Sequence, residues 1–145
     1  MEIRSDRRWD FDVGPAALWD AIAGVEHYRR WWPWLRRFEA EGLVAGDTWK
    51  CVVQPPLPYT LRFRVQLDEV EPHRLVAATV TGDVAGQARL EIDEHDEGCE
   101  ARLVSQLAPG NGALRLVSRL AWPIARFGHD WVLDTGAKQF VARAV

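Results

Sequence analysis

The stretch LRLVSRLAWPIARFGHDWVLDTGAKQFVARAV, residues 114–145, decides how this chain folds. Val117, Leu120, Ala121, Ile124, Phe127, Gly128, Trp131, Val132 and Thr135 recur there at helical spacing on one side, and Arg115, Arg119, Arg126 and Asp130 fall on the other. The pattern predicts one long amphipathic helix. Pro123 predicts a kink or a break within it, because proline lacks the backbone N–H and its ring clashes with the preceding turn. Pro109-Gly110-Asn111-Gly112 separates this helix from what comes before, which is almost all strand-like. A long helix closing a run of strands must bury its apolar stripe on the concave face of a bent sheet. That geometry tends to leave a hollow between the two.

Working back from there, Ala101, Leu103, Ser105 and Leu107 alternate with polar neighbours, as do Ala88, Leu90 and Ile92, with a hairpin turn at Asp96-Glu97-Gly98. Leu75 to Thr81 reads as another strand, after a turn at Glu71-Pro72-His73. Leu61, Phe63, Val65 and Leu67 alternate with Arg62, Arg64, Gln66 and Asp68 and make the clearest strand of all. Pro55-Pro56-Leu57-Pro58 cannot sustain a ladder and reads as a loop. Thr48 to Val53 and Phe38 to Val44 read as two more strands, joined at Gly46-Asp47. At the start, Ile3, Ser5, Arg7, Trp9 and Phe11 share one face of a first strand. Gly14-Pro15 then opens a helix that buries Leu18, Trp19, Ile22 and Ala23 and ends at Gly24. A second short helical piece over Val25 to Trp32 is stopped by Pro33. The expectation is an α+β chain with a seven-stranded curved antiparallel sheet wrapped around a long C-terminal helix, and two short helices between strands one and two.

The 145 residues suit a single domain spanning the whole chain. Hydrophobic residues at 48% and charged residues at 27% exclude a disordered or fibrous class. A net charge of -3 argues against nucleic acid as a partner. Of 18 basic residues only Lys50 and Lys138 are lysines, a bias that coding composition explains as readily as chemistry. Cys51 and Cys99 lie far apart on strand positions and read as buried thiols. With no membrane-length apolar run and no signal-peptide core, the expected location is the cytoplasm. Eight tryptophans are the marked excess.

Three segments carry a family resemblance that covers essentially the whole chain. They are Val13-Gly14-Pro15-Ala16-Ala17-Leu18-Trp19, Trp31-Trp32-Pro33-Trp34, and Glu41-Gly42-Leu43-Val44-Ala45-Gly46-Asp47-Thr48-Trp49. On these the chain resembles the SRPBCC superfamily, with its helix-grip fold shared by START lipid-transfer domains, pollen-allergen-type carriers and polyketide cyclases, and within it the polyketide cyclase/dehydrase group. The resemblance implies a cavity and does not imply a particular reaction.

Trp34, Trp49, Phe63, Leu90, Leu103, Ile124, Phe127 and Trp131 are the expected cavity lining, and Gly128 is expected to leave room for a guest. Arg7, placed on the concave side by its alternation with Trp9 and Phe11, needs an acidic partner or a ligand's carboxylate or phenolate; escape to solvent from an open edge is the competing reading. Ser105 offers a hydrogen bond to a guest, as do Thr79 and Thr81 if the odd-numbered side of their strand faces inward, against the competing claim of Val76, Ala78 and Val80. Ser105, His129 and Asp130 or Asp134 contain the residue types of a hydrolytic triad, but the phase of His129 carries it away from the Ile124 stripe, so it reads as a surface or helix-packing histidine. The four histidines have no metal-ligand spacing, and neither a metal nor a cofactor is expected. Gly82-Asp83-Val84-Ala85-Gly86 reads as a hairpin turn rather than a phosphate loop. Trp31, Trp32 and Trp34 between Arg29-Arg30 and Arg36-Arg37 suit a membrane interface, though indoles that cap a core are the stronger reading.

The expected function is binding, transport or sensing of a small hydrophobic or aromatic molecule or lipid in the internal cavity, with oligomeric state left open. A cyclase or dehydratase using the same cavity is the alternative, with Arg7 and Glu39 as the inward ionisable candidates. A lipid exchanger making peripheral membrane contact through the Trp/Arg turn is a third reading.

Overall fold

Strand β1 (Ile3–Phe11) pairs along its whole length with β7 (Gly98–Pro109), from Ile3 opposite Leu107 to Phe11 opposite Cys99. In the computed structural model, which describes residues 2–57, 60–110 and 122–144, this pairing forms one end of a single antiparallel sheet. The remaining strands are β2 (Leu35–Glu39), β3 (Thr48–Val53), β4 (Leu61–Glu71), β5 (Leu75–Gly82) and β6 (Val84–His95). Their spatial order is β1-β7-β6-β5-β4-β3-β2. Every neighbouring pair except β1–β7 is therefore consecutive in sequence. The one long crossover runs from β1 at one edge to β2 at the other through helix α1 (Pro15–Ala23), a 3-10 turn (Val25–His27) and α2 (Tyr28–Trp31). The long helix α3 (Trp122–Arg143) closes the concave side. The chain is a helix-grip α+β fold, as the alternation pattern implies.

Local chemistry sets these boundaries. Gly14 caps α1 with Pro15 in its first turn, where the missing N–H costs nothing, and Gly24 ends it. On β1 the burial alternates residue by residue, with Ile3, Ser5, Arg7, Trp9 and Phe11 on the covered face. The core gathers Phe11, Leu18, Trp19, Tyr28, Trp31, Leu35, Val53, Leu67, Ile92, Cys99 and Phe140, so both ends of the chain contribute to it. Gly98, at the β6–β7 hairpin, has φ +149° and its Cα faces the Phe11 carbonyl so closely that a Cβ would lie 1.9 Å from that oxygen.

Two expectations are corrected, and the open choice of inward side on β5 is resolved. The strand expected over Phe38 to Val44 is instead β2 at Leu35–Glu39, because the carboxylate of Asp47 accepts the backbone N–H groups of Glu41, Gly42 and Thr48 and holds the following residues in a non-strand loop. On β5 the even-numbered side faces inward: Val65 lies opposite Val80 and Leu67 opposite Ala78, and opposed residues share a face. Thr79 consequently bonds Asp68 on the outer surface at 2.5 Å, and Thr81 is exposed. Helix α3 buries Gly128, Gly136 and Phe140 and leaves Phe127 51% exposed, so its covered face is rotated from the one expected. Pro123 lies in the first turn of α3, where its missing N–H is tolerated; the helix expected over 114–121, and with it the kink or break expected at Pro123, lies outside the described residues.

Candidate functional site

Between the sheet and α3 lie two adjoining apolar chambers, of about 240 and 270 Å3. Leu103 from β7 and Val132 and Leu133 from α3 line both, and so form the partition between them. The first chamber is walled by the inward residues of six strands, among them Ile3, Val53, Phe63, Val80, Ala88 and Leu107, and by Gly128 and His129 of α3. The second is ringed by aromatic side chains: Trp9 and Phe11 from β1, Tyr28, Trp32 and Trp34 from the crossover, and Phe140 from α3. Period-two alternation on the strands supplies one wall of each chamber, and a line of small residues on the helix supplies room. Gly136 has the same effect in the second chamber, where a Cβ would lie 3.2 Å from the Trp34 ring. Two larger depressions, one beside Pro33, Arg36 and Gln54 and the other beside Asp20, His27 and Arg143, are open to solvent and have the mixed lining of ordinary surface.

The crossover tryptophans seat α3. Trp32 donates its indole N–H to the Gly136 carbonyl at 2.9 Å, and Trp34 donates to Oε1 of Gln139 at 2.8 Å. Their rings stack with centroids 5.7 Å apart, and Trp34 meets Trp131 edge to face at 6.2 Å. Arg143 reaches back to the Trp31 carbonyl at 2.5 Å. The neighbouring Arg29, Arg30, Arg36 and Arg37 are exposed.

The expected lining residues divide into three groups. Phe63 and Ser105 line the first chamber, Trp34 and Leu90 the second, and Leu103 both. Trp49 and Trp131 line neither: Trp49 packs on Tyr28 and Phe38 and donates to the Gly42 carbonyl at 3.0 Å, while Trp131 flanks Trp34 on the outer side. Phe127 points to solvent, and the side chain of Ile124 lies outside the described residues. Glu39 is exposed and faces Lys50, not the interior.

The polar residues form a chain of contacts behind the first chamber. Arg7 finds its acidic partner in the protein itself, donating through Nη2 to Asp130 Oδ1 at 3.0 Å, with Asp134 at 3.8 Å from its Nε. It lines neither chamber. Asp130 also takes hydrogen bonds from Arg126 at 3.2 Å and from His129 Nδ1 at 3.1 Å. Burial works to raise the Asp130 carboxyl, but these hydrogen bonds outweigh it and hold the group below the usual carboxylate range. Burial pushes His129 below the ordinary imidazole range, against the opposing pull of Asp130. Its side chain is only 12% exposed and it lines the first chamber, which corrects the surface or packing role expected for it. The triad nonetheless does not form: the Ser105 hydroxyl is hydrogen-bonded to Ser5 at 2.6 Å and shows no bond to His129. Cys51 is buried, and desolvation raises its thiol to about 12, which keeps it protonated and inert. Among the described residues no group of three or more His, Cys, Asp or Glu could hold a metal ion, and no helix is long and apolar enough to cross a membrane.

Gly128 and Val132 were expected on the inner side of α3, but His129, Leu133, Gly136 and Phe140 escaped sequence reading, because Phe127 and Val141, both about half exposed, blur the apolar stripe. The usable signal was the spacing of Gly128 and Gly136, small residues eight apart on one helical face.

Solved structures reproduce this architecture. The aromatase/cyclase ZhuI from Streptomyces sp. R1128 superposes with a TM-score of 0.72 at 14% identity, covering 98% of this chain and 90% of its own. Protein Ms6760 from Mycobacterium smegmatis gives a TM-score of 0.70 at 15% identity over 96% and 88% of the two chains. Ara h 8.0201 gives 0.59 at 15% identity over 92% and 99%. At such identities the likeness is one of fold. No curated protein matches the chain by sequence. Residues 2–145 match the model of one family, and with the helix-grip architecture and the chambers beneath its closing helix in place, the chain belongs to that family, described as polyketide cyclase / dehydrase and lipid transport, within the SRPBCC superfamily.

Proposed function

We propose that this protein binds a small hydrophobic or aromatic molecule in the paired chambers between its sheet and α3, as a carrier or sensor. One observation carries the reading: about 240 and 270 Å3 of apolar hollow persist side by side where a domain of this size would ordinarily pack solid. Family and fold fit a ligand-binding or cyclase-like role. Binding is favoured over cyclisation because the inward strand faces present hydroxyl and apolar groups, and Arg7, the inward cation on β1, is already met by Asp130 and Asp134. Membrane docking through the Trp/Arg turn is disfavoured, since the Trp32 and Trp34 indole N–H groups are committed to α3. Native mass spectrometry of the purified protein, followed by solvent extraction, tests the proposal. A protein that carries no small molecule and also takes up no member of a panel of apolar fluorescent probes refutes it.

A further inference from the structure

We infer that the first chamber selects a guest bearing a hydroxyl group on an otherwise apolar skeleton, and that His129 Nε2 is the acceptor for that hydroxyl. The inference rests on the ligand-binding reading above and specifies its chemistry. Among the described residues, two buried side-chain polar atoms lack a hydrogen-bond partner, Arg7 Nε and His129 Nε2. Arg7 Nε still faces the Asp134 carboxylate at 3.8 Å and lines no chamber. His129 lines the first chamber; its second nitrogen is buried with its hydrogen-bonding capacity unused, so a guest hydroxyl reaches it by displacing the side chains that cover it.

The tautomer follows from its neighbour. Asp130 is ionised, held by Arg7 at 3.0 Å and Arg126 at 3.2 Å, and a carboxylate only accepts. The proton of the neutral ring therefore sits on Nδ1, donated to Asp130 at 3.1 Å, and Nε2 carries a lone pair. Burial keeps the ring neutral near pH 7.5, despite the pull of Asp130. A buried acceptor without a donor is costly, and a guest hydroxyl that reaches it removes that cost. A carboxylate guest has no proton to offer Nε2. Among the described residues the charges around the ring, Arg7 and Arg126 against Asp130 and Asp134, already balance, and no cation there is left over to receive an anion.

Three probes with one two-ring skeleton test this: naphthalene, 2-naphthol and 2-naphthoate, titrated at pH 7.5 against the whole protein and followed by tryptophan fluorescence. The expected order is 2-naphthol tighter than naphthalene by about five- to tenfold, the range one hydrogen bond confers, with naphthoate weakest. In His129→Leu the naphthol preference should shrink to about twofold or less while naphthalene still binds. A second measurement needs no variant: the 15N resonance of His129 Nε2 in the wild-type protein should move with 2-naphthol and not with naphthalene. If naphthalene binds but naphthol binds no tighter, or the preference survives His129→Leu, or the Nε2 resonance is unmoved, or naphthoate binds best, His129 is not the acceptor and the chamber reading stands. If neither naphthalene nor naphthol binds, the chamber reading itself falls and this inference falls with it.

Discussion

Arg7 on the first strand and Asp130 on the last helix are joined by a hydrogen-bonded ion pair at 3.0 Å, although 123 residues separate them in sequence. Both side chains are about one-third exposed, at 31% and 32%, so solvent screens the pair and its coupling should be modest. A double-mutant cycle with Arg7→Met and Asp130→Asn should return about 1 kcal/mol in urea unfolding. Because Asp130 is held below the usual carboxylate value, its contribution is complete above the unfolded-state pKa near 4 and is lost as pH falls through the depressed folded value. A coupling that stays constant down to pH 2 would show that the charge pair is not its source.

His129 titrates with the opposite consequence for charge but the same direction in pH. Burial lowers its folded-state pKa beneath the ordinary value of 6.5, so the unfolded chain takes up a proton first as acid is added. Stability should be complete above about pH 6.5 and should decline through the interval below it. Urea midpoints between pH 7.5 and 5.5 should fall in the wild type and stay flatter in His129→Leu. Equal slopes in the two proteins would remove this account.

Trp32→Phe retains most of the ring and removes the donor to the Gly136 carbonyl. The expected loss is about 1–2 kcal/mol, measured by chemical denaturation, from the lost indole hydrogen bond to a part-buried carbonyl and a smaller ring in the aromatic cluster. No loss would mean that the indole hydrogen bond does not seat α3.

Leu103 lines both chambers, so Leu103→Trp should occupy the space a guest would take. Binding of naphthalene should weaken by about tenfold or more, with a stability change of about 1 kcal/mol, since the larger side chain enters existing room. Undiminished uptake would place the guest elsewhere.

Gly98→Ala tests how closely β1 and the β6–β7 hairpin approach. A Cβ there would lie 1.9 Å from the Phe11 carbonyl oxygen at a φ of +149°, so the hairpin must move. A loss of about 2 kcal/mol or more is expected in thermal unfolding. A neutral result would contradict the described approach.

Most of the architecture was legible because period-two alternation on β1, β4, β6 and β7 is unambiguous, and proline and glycine mark the ends of α1 and α2. The β2 boundary was not, because Asp47 reaches back over several residues to bond the Glu41 and Gly42 amides, a contact with no local periodicity. The face of β5 carries apolar or small residues on both sides, so only its pairing with Val65 and Leu67 resolves it. For the candidate site, Phe63, Leu90, Leu103 and Ser105 followed from alternation. His129 did not, since the angle at which α3 settles depends on Trp32 and Trp34 gripping Gly136 and Gln139 about a hundred positions away.

The pairing of β1 with β7 has a consequence for synthesis. A nascent chain emerging from the ribosome exposes Ile3, Trp9 and Phe11 on an edge that finds no partner until Gly98 to Pro109 has emerged. Until then the growing meander from β2 to β6 is open at that side, and the hollow has neither its last wall nor its roof. The chambers therefore close only after the last strand has emerged, and a chaperone that shields the first strand should raise the yield of folded protein more than one acting on the finished domain.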